Sequence, residues 1–179
     1  NTGTADLVIS DITSTDASFS ISSSISTIVA GAIETFIVTL SGSTAGSFTA
    51  DITITNDDAD EGTFVFPISG EIVAPAPEIG LYAGSDNAGA SINNNQTTAI
   101  DFGSILQGSD LVQTFAIENT GTADLSISDI TSSDASFSIS SSISSIVAGA
   151  TETFTVTLSG TTAGIFTADI TITNDDADE

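Results

Sequence analysis

An all-β chain, made of antiparallel β-sandwich domains in tandem, follows from three observations on these 179 residues. Apolar and polar residues alternate with period two through runs rich in Thr, Ile, Val and Phe, the pattern of strands buried on one face. Turn signals rich in Gly, Asn and Asp separate the runs, and no segment places apolar residues at helical spacing. Residues 1–61 then return as residues 119–179, identical at 54 of 61 positions. The offset of 118 residues (119 − 1) suits one whole domain per repeat rather than a short solenoid turn. The chain therefore reads as an out-of-phase window on a repeat array.

In chain order, residues 1–74 are expected to be the later strands of one domain. Phe64-Val65-Phe66-Pro67-Ile68 closes that domain, with Pro67 on the outward parity. Proline donates nothing to a ladder, so this strand is expected at a sheet edge or to pair there through a bulge. Val73-Ala74-Pro75-Ala76-Pro77 marks the boundary, and its alternating prolines favour an extended, semi-rigid connector at residues 75–77. Residues 78–179 form the next domain, without a counterpart of Gly62–Ile72. Its expected strands include Phe115-Ala116-Ile117, Leu125-Ser126-Ile127, Phe137-Ser138-Ile139, Phe154 to Leu158 and Phe166 to Thr173. Loops fall at 119–124, 148–150, 159–160 and 163–164.

The seven differences between the copies test the parity of these strands. Four exchange an apolar residue with Ser or Thr, namely Val8/Ser126, Ile33/Thr151, Ile37/Thr155 and Ser47/Ile165. All four fall on the outward parity, whereas inward positions keep their residue, as close packing demands.

Composition removes whole classes of function. With 24 Asp and Glu and no Lys, Arg or His, the net charge is −24. Nucleic acids and anionic membrane surfaces are excluded as partners, because both are bound through cationic side chains. A disordered acidic chain is excluded too, since 40% of residues are hydrophobic and mean hydropathy is +0.32. The absence of Cys and Lys removes disulfides and Lys–Asn isopeptide crosslinks as stiffening devices. No stretch reads as a secretory signal or a membrane span.

Several strings together resemble a known family. They are Pro77-Glu78-Ile79, Asp101-Phe102-Gly103-Ser104, Gln113 through Leu125, Ala148 through Val156, and Asn174 through Glu179. In that order they resemble the choice-of-anchor D repeats of bacterial surface proteins, related to the ASH/HYDIN immunoglobulin-like domains. The resemblance implies a seven-stranded immunoglobulin-like sandwich, tandem arrays on long secreted adhesins of Bacteroidetes type, and no catalytic residues. The chain departs from common members in lacking basic residues and in having Ala177 where Pro is frequent.

Without His, Cys, Lys or Arg there is no Ser-His or Cys-His pair and no Lys base, so the chain is not expected to be an enzyme. Paired carboxylates of the glycosidase kind lack stacking partners, because there is no Trp and the one Tyr is Tyr82. The candidate site lies in the acidic loops. Asp57, Asp58, Asp60 and Glu61, with their copies Asp175, Asp176, Asp178 and Glu179, are candidate ligands for Ca²⁺, which takes six to eight hard oxygens. Asp86 is a further candidate from beside the connector. The alternative is an acidic hairpin loop whose Asn and Asp serve the turn, since EF-hand spacing is absent. Thr167, Asp169, Thr171 and Thr173, alongside Thr153, Thr155 and Thr157, form an expected threonine-rich sheet face, either a flat ligand surface or ordinary exposed strand. Asn93-Asn94-Asn95-Gln96 reads as a solvated loop.

The expected role is a structural spacer in the shaft of an extracellular, bacterial cell-surface filament or adhesin, with neighbouring repeats of the same polypeptide as its partners. The alternatives are a filament subunit completed by strand addition from a neighbouring chain, and a calcium-dependent adhesive module.

Overall fold

The computed structural model describes residues 1–177, and the chain divides into two compact units, Asn1–Ala74 and Pro75–Glu179. All regular structure among the described residues is β.

Unit 1 contains β1 (Leu7–Ser14), β2 (Phe19–Ser22), β3 (Thr27–Ile28), β4 (Ile37–Leu40), β5 (Gly46–Asn56) and β6 (Thr63–Ile72). One sheet runs β3-β1-β5-β6, and β2 pairs with β4 in a second. The Pro67 strand lies at an edge, as a residue without an N–H requires. Unit 2 contains β7 (Ile79–Ala83), β8 (Ala90–Ile92), β9 (Asp110–Asn119), β10 (Leu125–Ser132), β11 (Phe137–Ser140), β12 (Ser145–Ile146), β13 (Thr151–Ser159) and β14 (Ile170–Asn174). Its sheets run β12-β10-β14 and β11-β13-β9-β7-β8, with every pair antiparallel.

Unit 2's core lies between those sheets. Leu125, Ile127 and Ile146 from one sheet meet Phe115, Ile117, Phe137, Phe154, Val156 and Leu158 from the other. Phe154 stacks on Phe115 at 5.5 Å, and Phe102, carried on a loop, meets Phe137 edge-on at 5.3 Å. The loop turns at Gly103 (φ 77°), where the Asp101 carboxylate accepts the Gly103 N–H at 2.7 Å. The exchanged positions between copies are outward: Val8, Ile33, Ile37 and Ile165 are all exposed.

Nearly identical sequence is packed differently in the two units. Phe154 is 3% exposed and its copy Phe36 is half-buried; Leu125 and Ile146 are buried, and Leu7 and Ile28 are half-buried. The neighbouring strand is the cause. β9 lies along the whole of nine-residue β13, whereas four-residue β4 pairs, among the described residues, only with β2. The reverse holds at the other edge. Ile52 is fully buried and its copy Ile170 is 37% exposed, because β6 covers β5 but no described strand covers β14 beyond β10.

This corrects the strand expected over Phe166–Thr173. Only Ile170–Asn174 is strand. In unit 1, β1 pairs with Ile52–Asn56 alone, and the Gly46–Asp51 half of β5 is held by β6. The matching half of the second copy, 164–169, has no ladder partner among the described residues. A strand is defined by pairing, so alternation alone does not make one.

Both copies carry a β-bulge at the same place, between Ile9 and Asp11 and between Ile127 and Asp129. The extra residue is Ser10 or Ser128, whose hydroxyl donates to the Thr55 or Thr173 carbonyl at 3.1 Å.

Candidate functional site: the connector clasp and the acidic loops

Unit 2 grips the connector that leads into it. The Ala76 carbonyl accepts the N–H groups of Thr122 (2.8 Å) and Ala123 (3.1 Å), and the Thr122 hydroxyl accepts the Ala76 N–H at 3.2 Å. The Glu78 carbonyl accepts from Thr120 N–H at 2.8 Å. This approach needs a residue without a side chain at 121. A Cβ there would lie 2.4 Å from the Ala76 oxygen and 2.5 Å from the Glu78 nitrogen.

Asn119 organises the clasp from below. It is fully buried at the end of β9, and its amide group has four hydrogen bonds. Its Nδ2 donates to the carbonyls of Ala123 (2.8 Å) and Ile146 (2.9 Å). Its Oδ1 accepts from Gly121 (3.0 Å) and Glu78 (3.3 Å). A buried primary amide is tolerated only when satisfied in this way. Asn1 makes the same local bonds, to Ala5 (2.9 Å), Ile28 (2.8 Å) and from Gly3 (3.0 Å), but is half-buried. The sequence reading treated Asn119–Asp124 as a loop and missed this role. Its signal was an Asn at the same place in both repeats, opening the shared string Asn-Thr-Gly-Thr-Ala-Asp.

The acidic loops act as fasteners, each within its own unit. Asp57 Oδ1 accepts the Val8 N–H, and Asp175 Oδ1 accepts the Ser126 N–H, both at 2.8 Å. Each ties a strand end to the start of the strand beside it. The backbone N–H of Ser126, then its side chain, hold Asp175 below the usual carboxylate range. Asp176 is buried, and its Oδ2 accepts the Ile79 N–H at 2.8 Å, joining this loop to β7. Asn56 and Asn174 cap their own turns, accepting from Asp58 and Asp176 at 2.8 Å. Asp58 Oδ1 accepts the Asp60 N–H at 3.3 Å, and hydrogen bonding by Asp60, side chain first, lowers the Asp58 pKa. Glu61 contributes its carbonyl, which accepts Asn56 Nδ2 at 2.9 Å.

Among the described residues no three acidic side chains come together as a cation cage. Asp178 and Glu179 lie outside the described residues. Asp86 is placed in the turn after β7, where its carboxylate accepts the Ala88 N–H at 3.1 Å. Asn93–Gln96 is an exposed turn.

The threonine face does not form as expected. Thr153, Thr155 and Thr157 lie on β13, and Thr171 and Thr173 lie on β14, which belongs to the other sheet. What the outer surface does hold is a small polar cluster that sequence reasoning overlooked. Tyr82 lies across Gly80, packing where a Cβ on Gly80 would be 3.2 Å from its ring. A hydrogen bond with Glu118, burial, and the nearby Glu118 charge push the Tyr82 phenol up. Asn87 Nδ2 donates to the same carboxylate at 2.7 Å.

The fold and these loops define an immunoglobulin-like β-sandwich protein. Residues 94–179, all within unit 2, match the family model of the HYDIN/CFA65/VesB-like immunoglobulin-like domain. Among solved structures, the chain is similar to one described as a protein of unknown function from Porphyromonas gingivalis W83. The two are 14% identical with a TM-score of 0.40, over 98% of this chain and 81% of that one. No curated protein matches the chain. No helix among the described residues is long and apolar enough to cross a membrane.

Proposed function

We propose that this chain is a spacer from the shaft of a long, secreted bacterial cell-surface filament or adhesin, of the choice-of-anchor D type. The observation that carries the reading is the clasp. A connector whose Ala76 is held by two backbone hydrogen bonds and one to a side chain, next to a Glu78 also bonded to the same loop, behaves as part of the unit it enters rather than as a swivel. The repeated sequence supplies identical units, and the net charge of −24 keeps neighbouring shafts apart at low salt. The acidic loops serve as hydrogen-bonded fasteners, so the reading requires no catalytic group and no bound cofactor. With neither Lys nor Arg, the chain offers no site to trypsin-like proteases, which suits life outside the cell.

Single-molecule pulling on an array of three repeats tests this. A mechanical spacer gives evenly spaced unfolding events, each releasing the length of one 118-residue repeat. That is roughly 400 Å at ~3.5 Å per residue. Extension without discrete resisting events would refute it.

A further inference from the structure

Glu118 brings a carboxylate to the outer face of unit 2, where two other parts of the chain gather on it. It stands opposite Gly80 across the β7–β9 ladder, and Tyr82 lies two residues further along β7. Glycine at 80 leaves the space through which the phenol reaches back toward Glu118. A Cβ there would lie 3.2 Å from both Cε2 and Oη of Tyr82. Tyr82 hydrogen-bonds the carboxylate, and Asn87, in the turn between β7 and β8, donates its Nδ2 to Oε1 at 2.7 Å. A groove of about 390 Å³ adjoins the cluster, lined by Gly80, Tyr82, Ser91, Asn93 and Asn94 among others. Tyr82 and Glu118 are half-buried, and Ser91, Asn93 and Asn94 are exposed, so a ligand reaches all of them from solvent.

Charge and lining say what fits. The two neutral donors use about half of the roughly four acceptor directions of a carboxylate and leave its charge uncompensated. No Lys, Arg or His exists in the chain to compensate it. The complementary group is therefore a cation, and a second copy of this chain has no cationic side chain to offer. The Tyr82 ring beside the carboxylate suits a cation with apolar flanks. The Ser91 hydroxyl and the Asn93 and Asn94 amides add donors and acceptors that match hydroxyl groups and that a bare alkylammonium would leave unused. We propose that the Tyr82–Glu118–Asn87 cluster and its groove bind a hexose that carries a free amino group, as one residue of a glycan. The ammonium would pair with Glu118, the sugar ring would lie against Tyr82, and its hydroxyls would meet Ser91, Asn93 and Asn94. One exposed ion pair with a few hydrogen bonds supports millimolar affinity for a single sugar.

The test titrates the isotope-labelled full chain with glucosamine at about pH 6, where an amine is charged, and follows amide shifts. Saturable shifts at Gly80, Tyr82, Asn87 and Glu118 are expected. N-acetylglucosamine keeps the ring and loses the charge, and Glu118→Gln removes its partner; each is expected to weaken binding roughly tenfold. Gln still offers an oxygen to Asn87 and Tyr82, so the cluster stays built. It removes one of 24 acidic side chains, so diffuse attraction to the acidic surface would survive it almost unchanged. No shifts at tens of millimolar glucosamine, equal binding of N-acetylglucosamine, binding indifferent to Glu118→Gln, or shifts spread over the acidic loops would each overturn the proposal. So would Nα-acetyl-lysine amide binding as tightly as glucosamine, because the ammonium alone would then suffice and the partner would be a basic protein. The proposal stands apart from the shaft reading, which the pulling experiment tests on its own.

Discussion

Gly121 lies directly beneath the backbone of Ala76, so close that a Cβ would be 2.4 Å from the Ala76 carbonyl oxygen. The obstacle is main chain and cannot rotate away as a side chain would. Gly121→Val is therefore expected to lift the connector off its loop and to cost about 1–3 kcal/mol of stability. Urea unfolding gives the loss. Faster exchange at the amides of Thr120, Thr122 and Ala123, the donors of the clasp, shows that the connector is what was released.

Asn119→Ala removes four hydrogen bonds from a fully buried position and strands two carbonyls and two N–H groups. A loss of about 2–5 kcal/mol is expected from denaturant unfolding. Asn1→Ala deletes the matching local bonds in unit 1, where water reaches the half-buried site, and is expected to cost less.

The repeat provides an internal comparison for packing. Phe154→Ala is expected to cost about 3–5 kcal/mol, as for a buried aromatic. Phe36→Ala, the same change at the equivalent position, is expected to cost about 1–2 kcal/mol because Phe36 starts half-exposed. Equal losses would mean that the missing neighbour of β4 does not govern burial there.

Asp175 separates a fastener from a metal ligand. Asp175→Asn keeps an oxygen that accepts from Ser126 N–H, so a fastener role predicts near-normal thermal stability for Asn and a lowered midpoint for Ala. Because the folded-state pKa of Asp175 is depressed, its contribution is complete above the unfolded value of about 3.9 and is lost as pH falls through the folded value. The gap between wild type and Asp175→Ala should close in that acid range. A midpoint raised by calcium in wild type and in neither variant would instead assign Asp175 to a metal.

Tyr82 is the single Tyr in a chain without Trp, so phenolate absorbance reports it alone. Its folded pKa is raised by the hydrogen bond with Glu118, burial and the Glu118 charge, so titration is expected above the ordinary value of about 10. The associated stability is complete below that value and is lost as pH rises through the folded pKa. Glu118→Gln should bring the titration back down.

Much of this architecture is readable from the chain, for a physical reason. The strand with Phe, Val and Leu on alternate positions, Phe154–Leu158, announces one buried face, whereas Phe115–Ile117 alternates in the same way and is buried on both, Ala116 included. Pro67 announces an edge because it has no N–H to donate. β7 was hidden because Gly80 breaks the alternation, and only the packing of Tyr82 over it restores a strand surface. Two-residue β12 is too short to show a period. The failure at Phe166–Asp169 is of another kind: the local signal is right, and the outcome is decided by whether a neighbour is present. The acidic loops were legible as loops, but composition cannot say whether a carboxylate faces a cation or a backbone N–H. Asp57 and Asp175 face backbone N–H groups.

Small-angle X-ray scattering on three tandem repeats, first in chelator and then in millimolar calcium, tests the central claim most directly. The account predicts rod-like scattering in both, with a maximum dimension that grows in proportion to repeat number, as the proposed spacer role requires. Coil-like scattering in chelator would contradict it, and straightening on addition of calcium would move the stiffness from the clasp to metal bound at the acidic loops.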